Sequence, residues 1–221
     1  MRTMKLFFPT DFILIKSTWG EAWKSAVFRF KVVITLVVLI FIAILMSTFL
    51  SYIESRSGFT INDGILNRVS PRNFSLSIFL LIYSVIILAM VNLISNPFLL
   101  LRGLQAYGLL LLMRIACLYL IPLEPEKFII PLDDPILGYF FYKGVFVTKD
   151  LFFSGHISTM SLLFFVIPSR FLKYFFLTAT LLVASFIIIQ HVHYTIDVIA
   201  APLFSWISYK LAGRLSPEEI K

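Results

Sequence analysis

Twenty-two consecutive residues, Val32 to Ile53, carry no charge. Wound as a helix at about 1.5 Å per residue, such a run spans a hydrocarbon core of about 30 Å. In lipid every backbone N–H and C=O needs an internal partner, so a chain organised around runs of this kind is expected to fold as a helical bundle. Composition agrees: 59% of the 221 residues are hydrophobic and only 14% charged, against roughly 25% charged in an average soluble domain. That length leaves room for one bundle and no soluble domain.

Further spans follow by the same reasoning. Phe74 to Leu101 is uncharged and interrupted only by Asn92 and Asn96-Pro97, which predicts a second helix ending near that Asn-Pro. A short turn with Arg102 and Gly103 leads to a third span, Leu104 to Ile121, with Arg114 embedded in it. Pro122 to Asp150, rich in Pro, Asp and Glu, is a loop long enough to be functional. Helix four is expected near Leu151 to Ile167, then a basic turn at Pro168-Ser169-Arg170 with Lys173, helix five over Tyr174 to Ile189, and a sixth span from His193 to about Leu211. The expected fold is all-α, an integral membrane bundle of six transmembrane helices over residues 32–211, with a cytoplasmic or interfacial segment 1–31 and a cytoplasmic tail 212–221. Segment 1–31 mixes Phe12-Ile13-Leu14-Ile15 and Trp19 with Lys16, Lys24, Arg29 and Lys31, as an interfacial anchor does. With Asp11, Glu21 and Trp23 before the first apolar run, it does not read as a signal peptide.

The formal charge of +7 on so apolar a chain points to cytoplasmic loops and anionic lipid, not nucleic acid. Basic residues cluster in segment 1–31 (from Arg2 and Lys5 to Lys31), at Arg102, at Arg170 and Lys173, and in the tail at Lys210, Arg214 and Lys221. Six spans put these segments on one side, so both termini are expected in the cytoplasm, with Arg56, Arg68 and Arg72 left outside. Short loops favour a bacterial inner membrane with a periplasmic site. The single cysteine, Cys117, excludes an internal disulfide and a cysteine metal cage.

Only three histidines occur, and all fall at the ends of helices four and six assigned to the outer face. His156 follows Asp150, Ser154 and Gly155 in Asp150-Leu-Phe-Phe-Ser154-Gly155-His156; His193 and Asp197 stand in His191-Val-His193-Tyr194-Thr195-Ile-Asp197. Four apart on a helix, His193 and Asp197 share a face, so the carboxylate can hold one imidazole nitrogen and leave the other as nucleophile. His156 is then placed to protonate a departing alkoxide, while Ser154 and Gly155 offer a hydroxyl and backbone amides to phosphate at a helix N-terminus. A metal site of His191, His193 and Asp197 is disfavoured because residues two apart face different sides of a helix. Arg114 needs an anionic partner within the bilayer: a phosphate oxygen or a structural carboxylate.

These elements resemble the phosphatidic acid phosphatase type 2 superfamily, and more closely its sphingomyelin synthase branch, with an Asp-x-x-x-Ser-Gly-His element at Asp150 to His156 and a His-x-His-Tyr-Thr-x-Asp-Val element at His191 to Val198. Arg114 with Tyr119 and Pro122 loosely resembles that branch's third-helix motif. The resemblance covers roughly the last 120 residues. It implies a phosphohistidine on His193, Asp197 as its orienter, His156 as acid then base, substrate contacts from Arg114, Asp150, Ser154, Gly155, His191 and Tyr194, no metal and no cofactor. Its implied partners are membrane lipids: a phospholipid donor and a ceramide- or diacylglycerol-type lipid. The hydrolytic pattern has Lys and Arg-Pro in its first motif and Arg six residues before the nucleophile; here Arg114 lacks a following Pro and Ile187 holds the later position. Lys149 and Ile157 depart from the synthase pattern, so headgroup identity does not carry over. The expected activity is transfer of a phospho-headgroup to a lipid hydroxyl, the alternatives being hydrolysis of a lipid phosphomonoester and a non-enzymatic transporter or scaffold.

Overall fold

The computed structural model describes residues 12–132 and 147–216. Residues 1–11 with Arg2 and Lys5, the centre of the acidic loop at 133–146, and the tail beyond 216 with Lys221 lie outside the described residues. Among the described residues there are seven α-helices and no strand: α1 Phe12–Lys24, α2 Ala26–Ser55, α3 Ser75–Leu93, α4 Pro97–Leu120, α5 Gly155–Val166, α6 Arg170–Ile189 and α7 Thr195–Leu215. Four of them, α2, α3, α4 and α6, are each long and apolar enough to cross a membrane. The protein is an integral membrane helical bundle.

Several helix ends differ from the sequence expectation, each for a local reason. Asn96 accepts the Leu99 N–H at 3.0 Å and Pro97 takes the first helical position. Helix α4 therefore starts at once, because the proline lacks only an N–H that a first turn leaves unpaired. Arg102 and Gly103 thus lie inside α4, not in a turn, and Gly103 gives way to Val166, whose Cγ1 would stand 3.3 Å from a Cβ there. Ser169 caps α6 in the same way, so Arg170 and Lys173 belong to its first turn. Segment 12–24 is a helix whose Trp19 indole donates to Ile94 O at 2.7 Å and whose Thr18 hydroxyl donates to Ser95 O at 3.2 Å, fixing it under the α3–α4 turn.

The core lies between α3, α4, α5, α6 and α7, through Ile78, Val85, Leu110, Met160, Phe176, Val183 and Ala201. Helix α2 packs mainly on α4 and turns Phe30, Ile40, Phe41 and Ile44 outward, as a helix facing lipid does. Helix α5 is only 12 residues long, about 18 Å, shorter than the expected Leu151 to Ile167. Residues 151–154 instead have no helical structure, and Leu151, Phe153 and Ser154 are buried where the segment hands over to α5 at Gly155. Non-helical backbone is tolerated within a membrane bundle where protein surrounds it.

Helix α7 carries Pro202, which deprives the Val198 carbonyl of its usual helical partner. One turn on, the Ser205 hydroxyl lies 2.8 Å from both Ala201 O and Ser158 O, fastening α7 to α5.

Candidate active site

Helix α6 ends in a Schellman turn: Val192 N–H bonds to Ile187 O at 3.1 Å and His191 N–H to Ile188 O at 3.0 Å, with His191 left-handed at φ 58°. Glycine is the usual residue there because a Cβ is disfavoured at positive φ. His191 is held by its ring, with Nδ1 2.9 Å from Glu126 Oε2 and Nε2 2.9 Å from Val69 O. Both ring nitrogens are engaged in binding the loops of Glu126 and Val69 to the turn. The resemblance implies a substrate contact from His191; in the structure its ring holds the turn.

Two residues later comes His193, and Tyr194 and Thr195 begin α7. His193 therefore precedes the helix, and its approach to Asp197 comes from the entry turn rather than from a shared helix face. Asp197, third in the helix, folds its carboxylate back: Oδ2 accepts Tyr194 N–H at 3.0 Å and stands 3.5 Å from His193 Nδ1. The charge favours the helix N-terminus. Both side chains are closed off from solvent, His193 at 3% exposure and Asp197 at 0%. The Tyr194 phenol donates to Glu124 O at 2.9 Å, so it anchors a loop.

The second element meets the first directly. Ser154 N–H donates to Asp197 O at 3.2 Å, and the buried Ser154 hydroxyl has no hydrogen-bond partner among the described residues. Beneath it lies Arg114, 5% exposed. Its Nη1 donates to Phe153 O at 2.8 Å and its Nη2 pairs with Asp150 Oδ1 at 2.5 Å. A Cβ on Gly155 would lie 2.7 Å from the guanidinium carbon, so the close approach that glycine permits here is to Arg114. The Asp150 to Gly155 segment is thus pinned from below by an ion pair, the carboxylate partner that the sequence left open for Arg114. His156 is the second residue of α5, its ring edge-on to Phe79 at 5.9 Å between centroids. Phe79 also lines a cavity of about 500 Å³ beside the start of α3, with Asn73, Phe74, Ser75 and Pro131.

Loops from three parts of the chain roof the site. Asp63 receives Thr195 N–H at 2.7 Å and its hydroxyl at 3.1 Å. Lys149 bridges Glu124 at 2.9 Å and Arg56 O at 2.8 Å, while Glu54 accepts the Thr148 and Lys149 amides. Gln190, fully buried, accepts Phe74 N–H at 2.7 Å and donates to Ser75 and Ile130. None of Asp63, Glu124, Glu126 or Gln190 stood out in the sequence, because their partners lie on distant segments.

Residues 136–213, about a third of the chain, match the family model PAP2 superfamily C-terminal. The matched stretch holds every member of the two contacting elements. The C-terminal part of this chain is a PAP2 superfamily domain. No curated protein matches the chain. As a phosphatidic acid phosphatase type 2 domain it belongs to enzymes that hydrolyse or transfer lipid phosphates, so the protein is an enzyme acting on membrane lipids.

Burial alone would raise the Asp63 pKa, but hydrogen bonds from Thr195, Ile65 and Leu66 outweigh it and hold the carboxyl below its ordinary value of 3.8. A depressed folded-state pKa contributes stability above the unfolded value and loses it as pH falls through the folded one. Acidification below about pH 3.8 is therefore expected to release the start of α7, seen as lost protection of the Thr195 amide relative to amides within α4; protection that stays equal throughout the acid titration would contradict this.

Proposed function

We propose that the enzyme is a lipid phosphotransferase that moves a phospho-headgroup from a phospholipid to a lipid hydroxyl. His193 Nε2 attacks phosphorus while Asp197 holds Nδ1. The bond from phosphorus to the diacylglycerol oxygen breaks, and His156 gives that oxygen its proton. His156 then removes the proton of a ceramide-type hydroxyl, whose oxygen attacks phosphorus and frees His193. The observation that carries this reading is the sealed Nδ1–Asp197 pair in backbone contact with the Ser154 segment. A nucleophile shielded from solvent favours a lipid hydroxyl over water as acceptor.

We further place six crossings in the membrane, adding α5 and α7 to the four long spans, with residues 32–211 as the catalytic unit. Two sets of contacts support this arrangement by separating the bundle's ends. Trp19 to Ile94, and Lys31 Nζ to Leu215 O at 2.5 Å, gather α1, the α3–α4 turn and the end of α7 at one end. The site and its roofing loops occupy the other. The basic first end is assigned to the cytoplasm and the site to the periplasmic side of a bacterial inner membrane.

The test is incubation in mixed micelles with fluorescent ceramide and a series of phospholipids, reading lipid products and free phosphate together, with His193→Ala as the blank. A phospho-headgroup ceramide missing from the blank supports transfer and names the donor. Phosphate released from a lipid monophosphate, without any transfer product, makes the enzyme a phosphatase. Asp197→Asn is expected to lower turnover about 10³- to 10⁴-fold, since an amide sets the wrong imidazole tautomer. Its melting temperature should barely move, because the amide oxygen can still accept Tyr194 N–H; retained activity in a folded variant would defeat the role given to Asp197. The mechanism uses no metal and predicts full activity in EDTA, against which a loss reversed by added metal would count.

A further inference from the structure

The entry to α7 brings the reacting pair together, His193 just before the helix and Asp197 in its first turn, yet the cap side chain does not close it: the Tyr194 hydroxyl donates to Glu124 O. Opening N–H groups of a helix have no intrahelical acceptor. Two carboxylates share them. Asp197 takes Tyr194 N–H from within the helix. Asp63, 132 residues away in the chain, takes the next amide, Thr195 N–H, at 2.7 Å, together with the Thr195 hydroxyl at 3.1 Å. The same Asp63 side chain accepts Ile65 N–H at 2.9 Å and Leu66 N–H at 3.3 Å. One carboxylate thus gathers donors from its own loop and from the turn after His193, with its charge facing the positive end of α7.

We propose that Asp63 is a positioning residue for the His193–Asp197 pair, which rests on the reading of that pair as the reacting groups. Oδ2 of Asp197 stands 3.0 Å from Tyr194 N and 3.5 Å from His193 Nδ1. Without Asp63, the Thr195 N–H loses its acceptor and competes for the same oxygen. Asp197 then moves off the imidazole, and the nitrogen aimed at phosphorus loses its orientation. Substrate contacts are untouched, so the loss falls on kcat.

The experiment compares Asp63→Asn, Asp63→Glu and His193→Ala in the full-length protein. The micelles contain fluorescent ceramide with phosphatidylcholine or phosphatidylethanolamine, and fluorescent phosphatidic acid for phosphate release. Asp63→Asn, whose single amide oxygen can serve its own loop's N–H groups or Thr195 N–H but not both, is expected to lower kcat about 10- to 100-fold with KM within about twofold. Asp63→Glu should recover much of the loss, and hydrogen exchange in Asp63→Asn should accelerate at residues 193–197 but not in α4. Unchanged kcat, a loss carried by KM, or a glutamate no better than asparagine overturns the proposal. If His193→Ala turns over, the reading of the reacting pair fails first; if it is dead while Asp63→Asn runs at full speed, only the positioning role fails.

Discussion

His193→Ala is expected to reduce lipid turnover by about 10⁴-fold or more, to the level of enzyme-free micelles, in a protein that still folds. The expectation follows from what else the ring does. No hydrogen bond or ion pair ties the His193 side chain to the described residues apart from its 3.5 Å approach to Asp197, so alanine removes little that holds the bundle together. Roles that alanine would disturb structurally are carried by neighbours: the Schellman turn by His191, the loop anchor by Tyr194, the helix cap by Asp63 and Asp197. A lost nucleophile leaves only binding and proton transfer, and groups that act as a unit fail together, so adding Asp197→Asn should cost little more. The clean measurement is single-turnover product formation beside a thermal melt. Turnover above about a hundredth of wild type in a folded His193→Ala protein would remove the phosphohistidine from the mechanism. Trapping acid-labile label from a ³²P-phospholipid on wild type, but not on the variant, would support it directly.

Membrane spans were legible because uncharged runs state their solvent. Val32 to Ile53 lies wholly within α2, and α6 ends at Ile189, where the apolar run meets Gln190. Boundaries were less legible where the chain restarts a helix after three residues. Arg102 and Gly103 read as a turn, yet Asn96 and Pro97 nucleate α4 before them, and Ser169 does the same for Arg170. The short α5 had no local signature either, because Leu151 to Ser154 are as apolar as a helix and leave it only to reach Arg114 and Asp197. At the site, the spacing of His193 and Asp197 announced their meeting, although the geometry that joins them is a helix entry. Contacts between distant segments left no trace in the pattern. Asp63 reads as half of an Asp-Gly turn, and nothing near Glu126 points to His191.

Arg114→Leu is expected to cost about 3–5 kcal/mol of stability, because it leaves a largely buried carboxylate and a carbonyl without their donor. The guanidinium is 6% exposed in its side chain and Asp150 is 26% exposed, so part of the Asp150 charge can turn to solvent and the lower end of the range applies. The fork geometry matters as much as the charge: one nitrogen serves Phe153 O and the other Asp150. Lysine, a single point donor, should therefore restore only part of the loss. Gly155→Ala should imitate Arg114→Leu in an otherwise intact sequence, since the added Cβ must displace the guanidinium or lift the start of α5. Pairing Arg114→Leu with Asp150→Leu should destabilise less than the sum of the single changes, as removal of both partners strands no charge. Thermal melts and turnover, read together, separate the two duties this arginine can have. A melt and an activity that fall together, in Arg114→Leu and Gly155→Ala alike, make it the strut beneath the Ser154 segment. An unchanged melt with lost activity would instead assign the guanidinium to the substrate phosphate and leave Asp150 as its resting partner.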